Sequence, residues 1–228
     1  MLEKLSVVIG NGNMGYMVRM CLYSLMEHCG QHIDELIISD NSSTDYTIQF
    51  LQENKYKDIT KVVTYDDIKD RTETEICAIG KPWDLGINNS KNEYCMLTHA
   101  DIVWKSDWIG EFLNKDYDKK PFMWGCGGGG TSSQYSRIHE WGLIINVAEF
   151  KKLGISFSGV HLGMEDFDTG AFLYRKAIEK GLPIISIFSD NMDTGLNMVN
   201  ENRWFSHYCA GAKKNKQKYT EMAKGKYN

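Results

Sequence analysis

Acidic and imidazole side chains that could bind a cation or move a proton occur in two separated parts of this sequence. His99 and Asp101 stand two residues apart after an apolar run, and Glu165 is followed directly by Asp166. Carboxylates bind Mg²⁺ or Mn²⁺, and Mn²⁺ accepts imidazole as well. A carboxylate beside a bound hydroxyl can also act as a general base. Acids at strand ends and helix starts equally serve as turn or cap residues, so residue type alone leaves both roles open.

A glycine-rich turn suggests a second kind of chemistry. The segment Gly10-Asn-Gly-Asn-Met-Gly15 matches the pattern G-x-G-x-x-G, in which backbone approaches a pyrophosphate at a helix N-terminus. In a dinucleotide-binding fold, Asp40 at the end of the next strand would hold a ribose hydroxyl, although it comes somewhat later than that pattern usually has it. An NAD(P)-dependent oxidoreductase is therefore one candidate function.

Apolar runs alternate with stretches of helical spacing, and this alternation positions the polar clusters. The strands are predicted at 5–9, 35–39, 61–65, 94–98, 141–147 and 182–188, and the helices at 14–29, 46–54, 81–90, 148–154 and 168–180. Such alternation predicts an α/β protein with a mostly parallel central sheet flanked by helices. Ligands collect at the carboxyl ends of such strands. The Gly10 turn, the Asp40 turn and His99 with Asp101 all fall there.

Composition excludes several classes of function. A net charge of −4 gives no support to nucleic-acid binding, and the apolar runs are too short to span a bilayer. The N-terminus runs straight into a strand, with no signal peptide, so we expect a cytoplasmic protein. Six scattered cysteines show no zinc-ligand spacing and are expected to be free thiols.

Separated segments of the chain resemble, in the same order, the motifs of family-2 glycosyltransferases. The turn Ile38-Ser-Asp-Asn-Ser-Ser-Thr-Asp45 is similar to the family's D-[DN]-x-S-x-D, and Cys21-Leu-Tyr-Ser-Leu25 to its C-L-x-S-L. The stretch Trp83-Asp-Leu-Gly-Ile-Asn-Asn-Ser-Lys-Asn-Glu-Tyr94 leads into Met96-Leu-Thr-His-Ala-Asp101, where the family carries D-x-D. Met164-Glu-Asp-Phe-Asp168 resembles its E-D-x-D segment. The first turn departs from the family, which usually has a proline there.

The resemblance implies the GT-A (nucleotide-diphospho-sugar transferase) fold and an inverting, metal-dependent transfer of sugar from a nucleotide-diphosphate donor to an acceptor hydroxyl. Asp101 matches the last acid of D-x-D and would hold Mn²⁺ or Mg²⁺. His99 replaces the first acid, so its role stays open between ribose, phosphate and no contact. His207 stands where related enzymes place a late metal-binding histidine; a surface or packing role is its alternative.

Further roles follow from the same resemblance. Asp166 would be the catalytic base, with Glu165 as the second candidate and helix capping as the alternative reading. Asp40 would contact the base or ribose of the donor, or merely form an Asx-turn. The full set expected at the nucleotide-sugar site is Gly10, Asn11, Asp40, Asn41, Ser42, Asp84, His99 and Asp101.

The remaining expectations concern organisation and partners. Residues 1–210 are predicted to form the glycosyltransferase domain and 211–228 a lysine-rich tail, which could touch anionic lipid at a membrane surface or be simply solvated. The glycine run 127–130 is either a lid or a surface connection, and Trp141 is a candidate near the acceptor, although tryptophans usually lie in the core. The acceptor could be a glycan, a lipid or a protein. A non-catalytic domain that binds a nucleotide or glycan is a third alternative, prompted by the missing first acid.

Overall fold

The computed structural model describes residues 4–66, 75–77, 80–127, 137–162, 165–187, 199–201, 203–208 and 221. Its strands, in chain order, are Leu5–Asn11 (β1), Ile33–Asn41 (β2), Thr60–Tyr65 (β3), Glu75–Cys77 (β4), Tyr94–His99 (β5), Ile102–Trp104 (β6), Met123–Cys126 (β7), Leu143–Asn146 (β8), Gly159–Leu162 (β9), Glu165–Phe167 (β10), Ile184–Ile187 (β11), Val199–Glu201 (β12) and Phe205–Tyr208 (β13).

Seven of these strands form one central sheet in the order β11-β7-β8-β5-β1-β2-β3. The pairs β1–β2, β2–β3, β1–β5 and β7–β11 are parallel, whereas β8 runs antiparallel to both of its neighbours. The predicted α/β class with a mostly parallel sheet is therefore confirmed. Two small antiparallel sheets, β10-β9-β4 and β12-β13-β6, complete the strand arrangement of the described residues.

The described helices lie where the sequence predicts them, apart from one at Trp108–Leu113 that was not predicted. They are Gly15–Cys29 (α1), Thr47–Glu53 (α2), Lys81–Asn89 (α3), Trp108–Leu113 (α4), Val147–Leu153 (α5) and Ala171–Glu179 (α6), with short 3₁₀ turns at Gly30–His32 and Lys57–Ile59. Two of them end at glycines with left-handed backbone: Gly154 has φ of 63° after α5, and Gly181 has φ of 65° just beyond α6. Glycine suits both positions, because it adopts this conformation without a steric cost.

One predicted helix start is wrong. We expected a helix over 168–180, with Glu165 and Asp166 at its N-terminus. Instead, the acidic pair lies in the strand β10, which pairs with β9, and α6 begins only at Ala171. The strand is stabilised by burial of Phe167, which is 2% exposed between the acidic residues.

The middle strands of the central sheet are buried on both faces, whereas the edge strand β3 is largely exposed. Val7 and Ile9 belong to one hydrophobic cluster and Val8 to the other, so successive residues of β1 pack on opposite sides. Three tryptophans of the middle segment are buried side by side: Trp108 lies 4.4 Å from Trp124 and 6.4 Å from Trp104 between ring centroids. These tryptophans are core residues, as the usual role of the residue suggests.

Four cysteines within the described residues are free and buried, namely Cys21, Cys29, Cys95 and Cys126. Burial raises the pKa of each thiol to about 12, so all four are protonated at neutral pH. The expectation of free thiols holds for these four. The predicted lysine-rich tail, apart from Glu221, and the glycine run beyond Gly127 lie outside the described residues.

Candidate functional site

The carboxyl edge of the central sheet brings together three of the predicted clusters. In the parallel registers, Gly10 pairs with Ser39 on one side and with His99 on the other, and Asn11 pairs with Asp40. The glycine turn, the Asp40 turn and the end of β5 therefore lie next to one another. This adjacency follows from strand order alone, because parallel strands end at the same edge.

His99, Asp101 and His207 form a compact group beside this edge. One ligand atom from each lies within 4.8 Å of the others. His99 ends β5, a short turn places Asp101, and β13 runs antiparallel along β6 so that His207 pairs with Ile102. The backbone N–H of Tyr208 donates to the carbonyl oxygen of Asp101 at 3.0 Å, which fixes the two segments together.

The protonation states in this group suit cation binding. Burial lowers the pKa of His99 to about 4, so its imidazole is neutral at neutral pH. Burial alone would raise the pKa of Asp101, but the adjacent imidazole of His207 lowers it, so Asp101 is ionised. Nε2 of His207 lies 3.3 Å from Oδ1 of Asp101. A neutral imidazole and an ionised carboxylate are the forms that bind metal.

A buried nitrogen in this group lacks a hydrogen bond. Nε2 of His99 finds no hydrogen-bond partner among the described residues, although it is shielded from solvent. Leaving such an atom unsatisfied costs about 1–3 kcal/mol. Asp101 is 7% exposed and His207 5% exposed, so the carboxylate is also largely removed from water. A divalent cation would satisfy both the nitrogen and the carboxylate, so these residues fit one.

Aromatic rings enclose the two histidines. Trp83 packs against His99 with ring centroids 5.1 Å apart, and Trp141 packs against His207 at 4.5 Å. His139 stacks on Trp141 at 4.3 Å with an interplanar angle of 8°. The sequence did not indicate Trp83, because its contact with His99 depends on how α3 crosses the sheet edge.

Gly10 has a steric role in this arrangement. A Cβ atom at Gly10 would lie 2.9 Å from Cη2 of Trp83 and 3.2 Å from its Cζ3. Gly10 therefore allows the indole to lie over the end of β1 and against His99. The first glycine of the predicted dinucleotide pattern is explained by this packing.

Hydrogen bonds join the two loops beside the cation group. Asn11 Nδ2 donates to Oδ1 of Asp40 at 2.6 Å, and the backbone N–H and hydroxyl of Ser43 donate to the same carboxylate at 2.8 and 2.6 Å. Asn13 extends the network, because its N–H donates to Ser43 Oγ and its Oδ1 accepts from the N–H of Thr44, both at 2.8 Å. Asp40 is 1% exposed. The carboxylate of Asp40 therefore stabilises its own turn by accepting from the N–H three residues on, rather than two residues on as in an Asx-turn, and direct contact with a donor stays a prediction.

Other predicted donor-site residues have different surroundings. Asn41 is half-buried, and Ser42 is exposed with its hydroxyl donating to the carbonyl oxygen of Tyr65 at 3.0 Å. Asp84, at the start of α3, accepts hydrogen bonds from the hydroxyl of Ser156 and from the N–H of Phe157, the latter at 2.8 Å. These contacts anchor the segment before β9 and do not include the cation group, so a role for Asp84 in donor binding stays a prediction.

The two neighbouring acids of β10, Glu165 and Asp166, contact different partners. Asp166 pairs across the hairpin with His161, whose Nδ1 lies 2.5 Å from Oδ1 of Asp166. Glu165 points to the other face and forms an ion pair with Arg175 of α6 at 2.9 Å. Both acids are exposed. His161 was not predicted as a site residue. Gly163, which stands between two short polar–apolar runs in the sequence, is compatible with a hairpin that sets residues 161 and 166 opposite each other.

Arg137 was also missed. Its guanidinium forms ion pairs with Asp168, just after β10, and with Glu140, whose Oε2 lies 3.9 Å from Nε. Glu140 is 4% exposed, so this arginine compensates a buried acid. Arg137 therefore links the segment that carries His139 and Trp141 to the end of the β9–β10 hairpin.

Comparison with known protein families shows to which family this chain belongs. The model of glycosyl transferase family 2 matches residues 6–182, which include the glycine turn, the Asp40 turn, His99, Asp101 and the acidic pair. This chain belongs to glycosyl transferase family 2. The NAD(P)-linked alternative finds no support, since the turn from which it was argued lies inside the family match. A sequence search of functionally curated proteins finds no match.

Solved structures show the GT-A fold of this family-2 chain. The mannosyltransferase PcManGT from Pyrobaculum calidifontis, in complex with GDP-Man and Mn²⁺, is 14% identical with a TM-score of 0.61; the match covers 84% of this chain and 58% of that one. TarS 1–349 from S. aureus, in complex with UDP-GlcNAc, is 14% identical with a TM-score of 0.58, over 89% of this chain and 57% of that one. The family-2 chain thus spans less than two thirds of either neighbour. Every helix within its described residues is too short or too polar to cross a bilayer.

Proposed function

We propose that this chain is an inverting glycosyltransferase that moves a sugar from a nucleotide-diphosphate donor to an acceptor hydroxyl, with a divalent cation bound by Asp101 and His207. The observation that carries the proposal is the buried group of His99, Asp101 and His207 at the carboxyl edge of the sheet in a family-2 chain. A bound cation would neutralise the leaving diphosphate and orient it.

The donor would lie over the joined loops at the sheet edge. Asp40, held by Asn11 and Ser43, fixes the turn and is the candidate contact for the base or ribose. Asn41 and Ser42, which are both more exposed than Asp40, are the adjoining candidates. Gly10 contributes the space that Trp83 needs against His99. A site fixed in this way needs little reordering when donor binds, which favours affinity.

Asp166 is the candidate base that takes the proton from the acceptor hydroxyl. Its partner His161 can hold the carboxylate in one orientation through Nδ1. Glu165 is less suited, because Arg175 already neutralises it. The hairpin β9–β10 thus presents one acid with a histidine partner and one acid used in an ion pair, which supports Asp166 over Glu165.

A donor screen tests the proposal. The full chain would be melted with UDP-, GDP- and dTDP-sugars in the presence of Mn²⁺ or Mg²⁺, and separately with NAD(H) and NADP(H). The panel includes GDP-Man and UDP-GlcNAc, the ligands of the two neighbours. We expect a metal-dependent rise in melting temperature with one class of nucleotide sugar. Stabilisation by NAD(P)(H) alone would overturn the proposal, and nucleotide-sugar binding without any hydrolysis or transfer would identify a non-catalytic binding domain.

The proposal also covers the class of acceptor and the cellular location of the enzyme. We place the enzyme in the cytoplasm, acting on a glycan, lipid or protein hydroxyl, with the lysine-rich residues 211–228 as a candidate contact with anionic lipid. Sedimentation with vesicles containing anionic lipid, with and without residues 211–228, would test the tail. Loss of binding on truncation is expected if the tail carries it, and equal binding would refute that role.

A further inference from the structure

His99 occupies the position at which the family motif carries its first acid, and the structure gives this histidine an unusual setting. Its Nε2 is buried, has no hydrogen-bond partner among the described residues, and belongs to the same group as Asp101 and His207. We propose that His99 is a direct metal ligand and that the resulting site, with two imidazoles and one carboxylate, selects Mn²⁺ and similar first-row transition ions over Mg²⁺. This inference rests on the proposed function, which places a divalent cation at the group.

The chemical type of the metal-ligating atoms determines the preference for Mn²⁺ over Mg²⁺. Mg²⁺ is a hard cation that prefers oxygen ligands, demands nearly octahedral geometry and keeps several of its waters. Mn²⁺ comes first in the affinity series of divalent first-row transition ions and accepts imidazole nitrogen beside carboxylate oxygen, and the affinity of such a nitrogen–oxygen site rises further along the series. An aspartate at position 99 would give a site with two carboxylates and one imidazole. The histidine replaces one of these oxygens by nitrogen, which disfavours Mg²⁺ more than Mn²⁺, whereas the loss of one negative charge weakens the binding of both ions.

The packing around the group supports direct ligation. The rings of His99 and His207 lie 5.6 Å apart between centroids, and one ligand atom from each of them and from Asp101 lies within 4.8 Å of the others, close enough for a single cation. Each imidazole is backed by an indole, Trp83 behind His99 and Trp141 behind His207. This packing holds the two imidazole rings beside Asp101.

Packing alone is the competing explanation for His99. A histidine beside Trp83 could simply fill space, with its nitrogen left unsatisfied. His99→Phe distinguishes the two explanations, because phenylalanine keeps an aromatic ring against Trp83 but offers no ligand. His99→Asp makes the complementary change, since it restores the acid of the family motif and gives Mg²⁺ an oxygen ligand.

The test is direct metal binding. Mn²⁺ is titrated into the metal-free full chain and free Mn²⁺ is followed by its electron paramagnetic resonance signal; Mg²⁺ is then added as a competitor. Both titrations are repeated with UDP and with GDP present. His28→Ala, which removes a histidine of α1 outside the group, is the matched control, and thermal melts of each metal-free variant show that it is folded.

We expect the wild type to bind Mn²⁺ at least about tenfold more tightly than Mg²⁺, and His99→Phe to lose about tenfold or more of its Mn²⁺ affinity. His99→Asp should bring the two affinities close together, and His28→Ala should bind as the wild type does. Wild-type Mn²⁺ affinity in folded His99→Phe, or no preference for Mn²⁺ in the wild type, would overturn the inference. Failure of Asp101→Ala and His207→Ala to weaken Mn²⁺ binding would instead remove the cation site of the proposed function.

Discussion

Gly10→Ala is the smallest substitution that disturbs the candidate site through packing. The added Cβ would lie 2.9 Å from Cη2 of Trp83, closer than real Cβ contacts allow, and 3.2 Å from Cζ3. Trp83 is 2% exposed, so its ring cannot move out into solvent. The indole must therefore shift within the core, and the ring that it contacts is His99, 5.1 Å away between centroids.

The size of the effect follows from overpacking. Forcing an extra carbon into a filled core costs about 1–3 kcal/mol, which for a chain of this length lowers the melting temperature by roughly 2–12 °C. Displacement of a residue that orients a metal ligand typically costs about 10–100-fold in metal affinity. We therefore expect Gly10→Ala to be less stable and to bind Mn²⁺ at least about tenfold more weakly.

Urea unfolding of the metal-free protein and Mn²⁺ titration measure the two effects. Gly12→Ala is the matched control in the same turn, because its Cβ would meet only Cβ of Asn41, at an ordinary 3.6 Å. Trp83→Phe removes the colliding ring atoms, so the double variant Gly10→Ala/Trp83→Phe should be more stable than the sum of the single changes predicts. If Gly10→Ala matched Gly12→Ala in both stability and Mn²⁺ affinity, the steric explanation of Gly10 would be refuted.

Three further predictions concern separate parts of the molecule. Asp166→Asn should lower turnover by about 10²–10⁴-fold while donor binding persists, since general-base catalysis contributes that much; unchanged turnover would exclude Asp166 as the base. Burial lowers the pKa of His139 from 6.5 to about 4, so between these values the unfolded chain binds the extra proton and the free energy of unfolding falls as the pH falls. This histidine contributes about 1.4 kcal/mol per pH unit to that slope, and His139→Gln should reduce it; equal slopes in urea titrations of the two metal-free proteins would contradict the assignment. Finally, the four buried thiols should resist alkylation in the native protein at pH 7.5 and react after denaturation, as peptide mapping would show; rapid native labelling of any of them would be inconsistent with the burial described.

The sheet and its functional edge were predicted well because both depend on patterns of neighbouring residues in the sequence. Each of the first strands is a short apolar run followed at once by polar residues, and the parallel registers of β1, β2 and β5 then bring Gly10, Asp40 and His99 to one edge. Strand type and end position are both readable from neighbouring residues. The mostly parallel topology needed only the alternation of strands and helices.

Contacts between distant segments were harder to predict. Glu165 and Asp166 were assigned to a helix start because acids are favoured there, but pairing with β9 and burial of Phe167 made a strand. The partner His161 could not be assigned without that pairing. His207 was placed near the cation site only through the family resemblance, since its position depends on the pairing of β13 with β6, about a hundred residues apart.

The aromatic contacts at the site also could not be predicted from neighbouring residues in the sequence. Trp83 sits in a helix whose sequence shows only that one face is apolar, and its contact with His99 arises where α3 crosses the end of β1. Trp141 was singled out as a candidate near the acceptor, and the structure places it against His207. Neither contact follows from residue type, because tryptophans in the same sequence at 104, 108 and 124 belong to the core.

Release of nucleoside diphosphate tests the central claim most directly. The nucleotide sugar that stabilises the chain would be incubated with Mn²⁺ and either the wild type or Asp101→Asn, and the products followed by ³¹P nuclear magnetic resonance. We predict that the wild type converts the donor to nucleoside diphosphate by hydrolysis or transfer, and that the folded Asp101→Asn variant does so far more slowly. Equal release by both proteins would contradict the cation site, and an intact donor with the wild type, across the donor panel and with candidate acceptors supplied, would contradict glycosyl transfer itself.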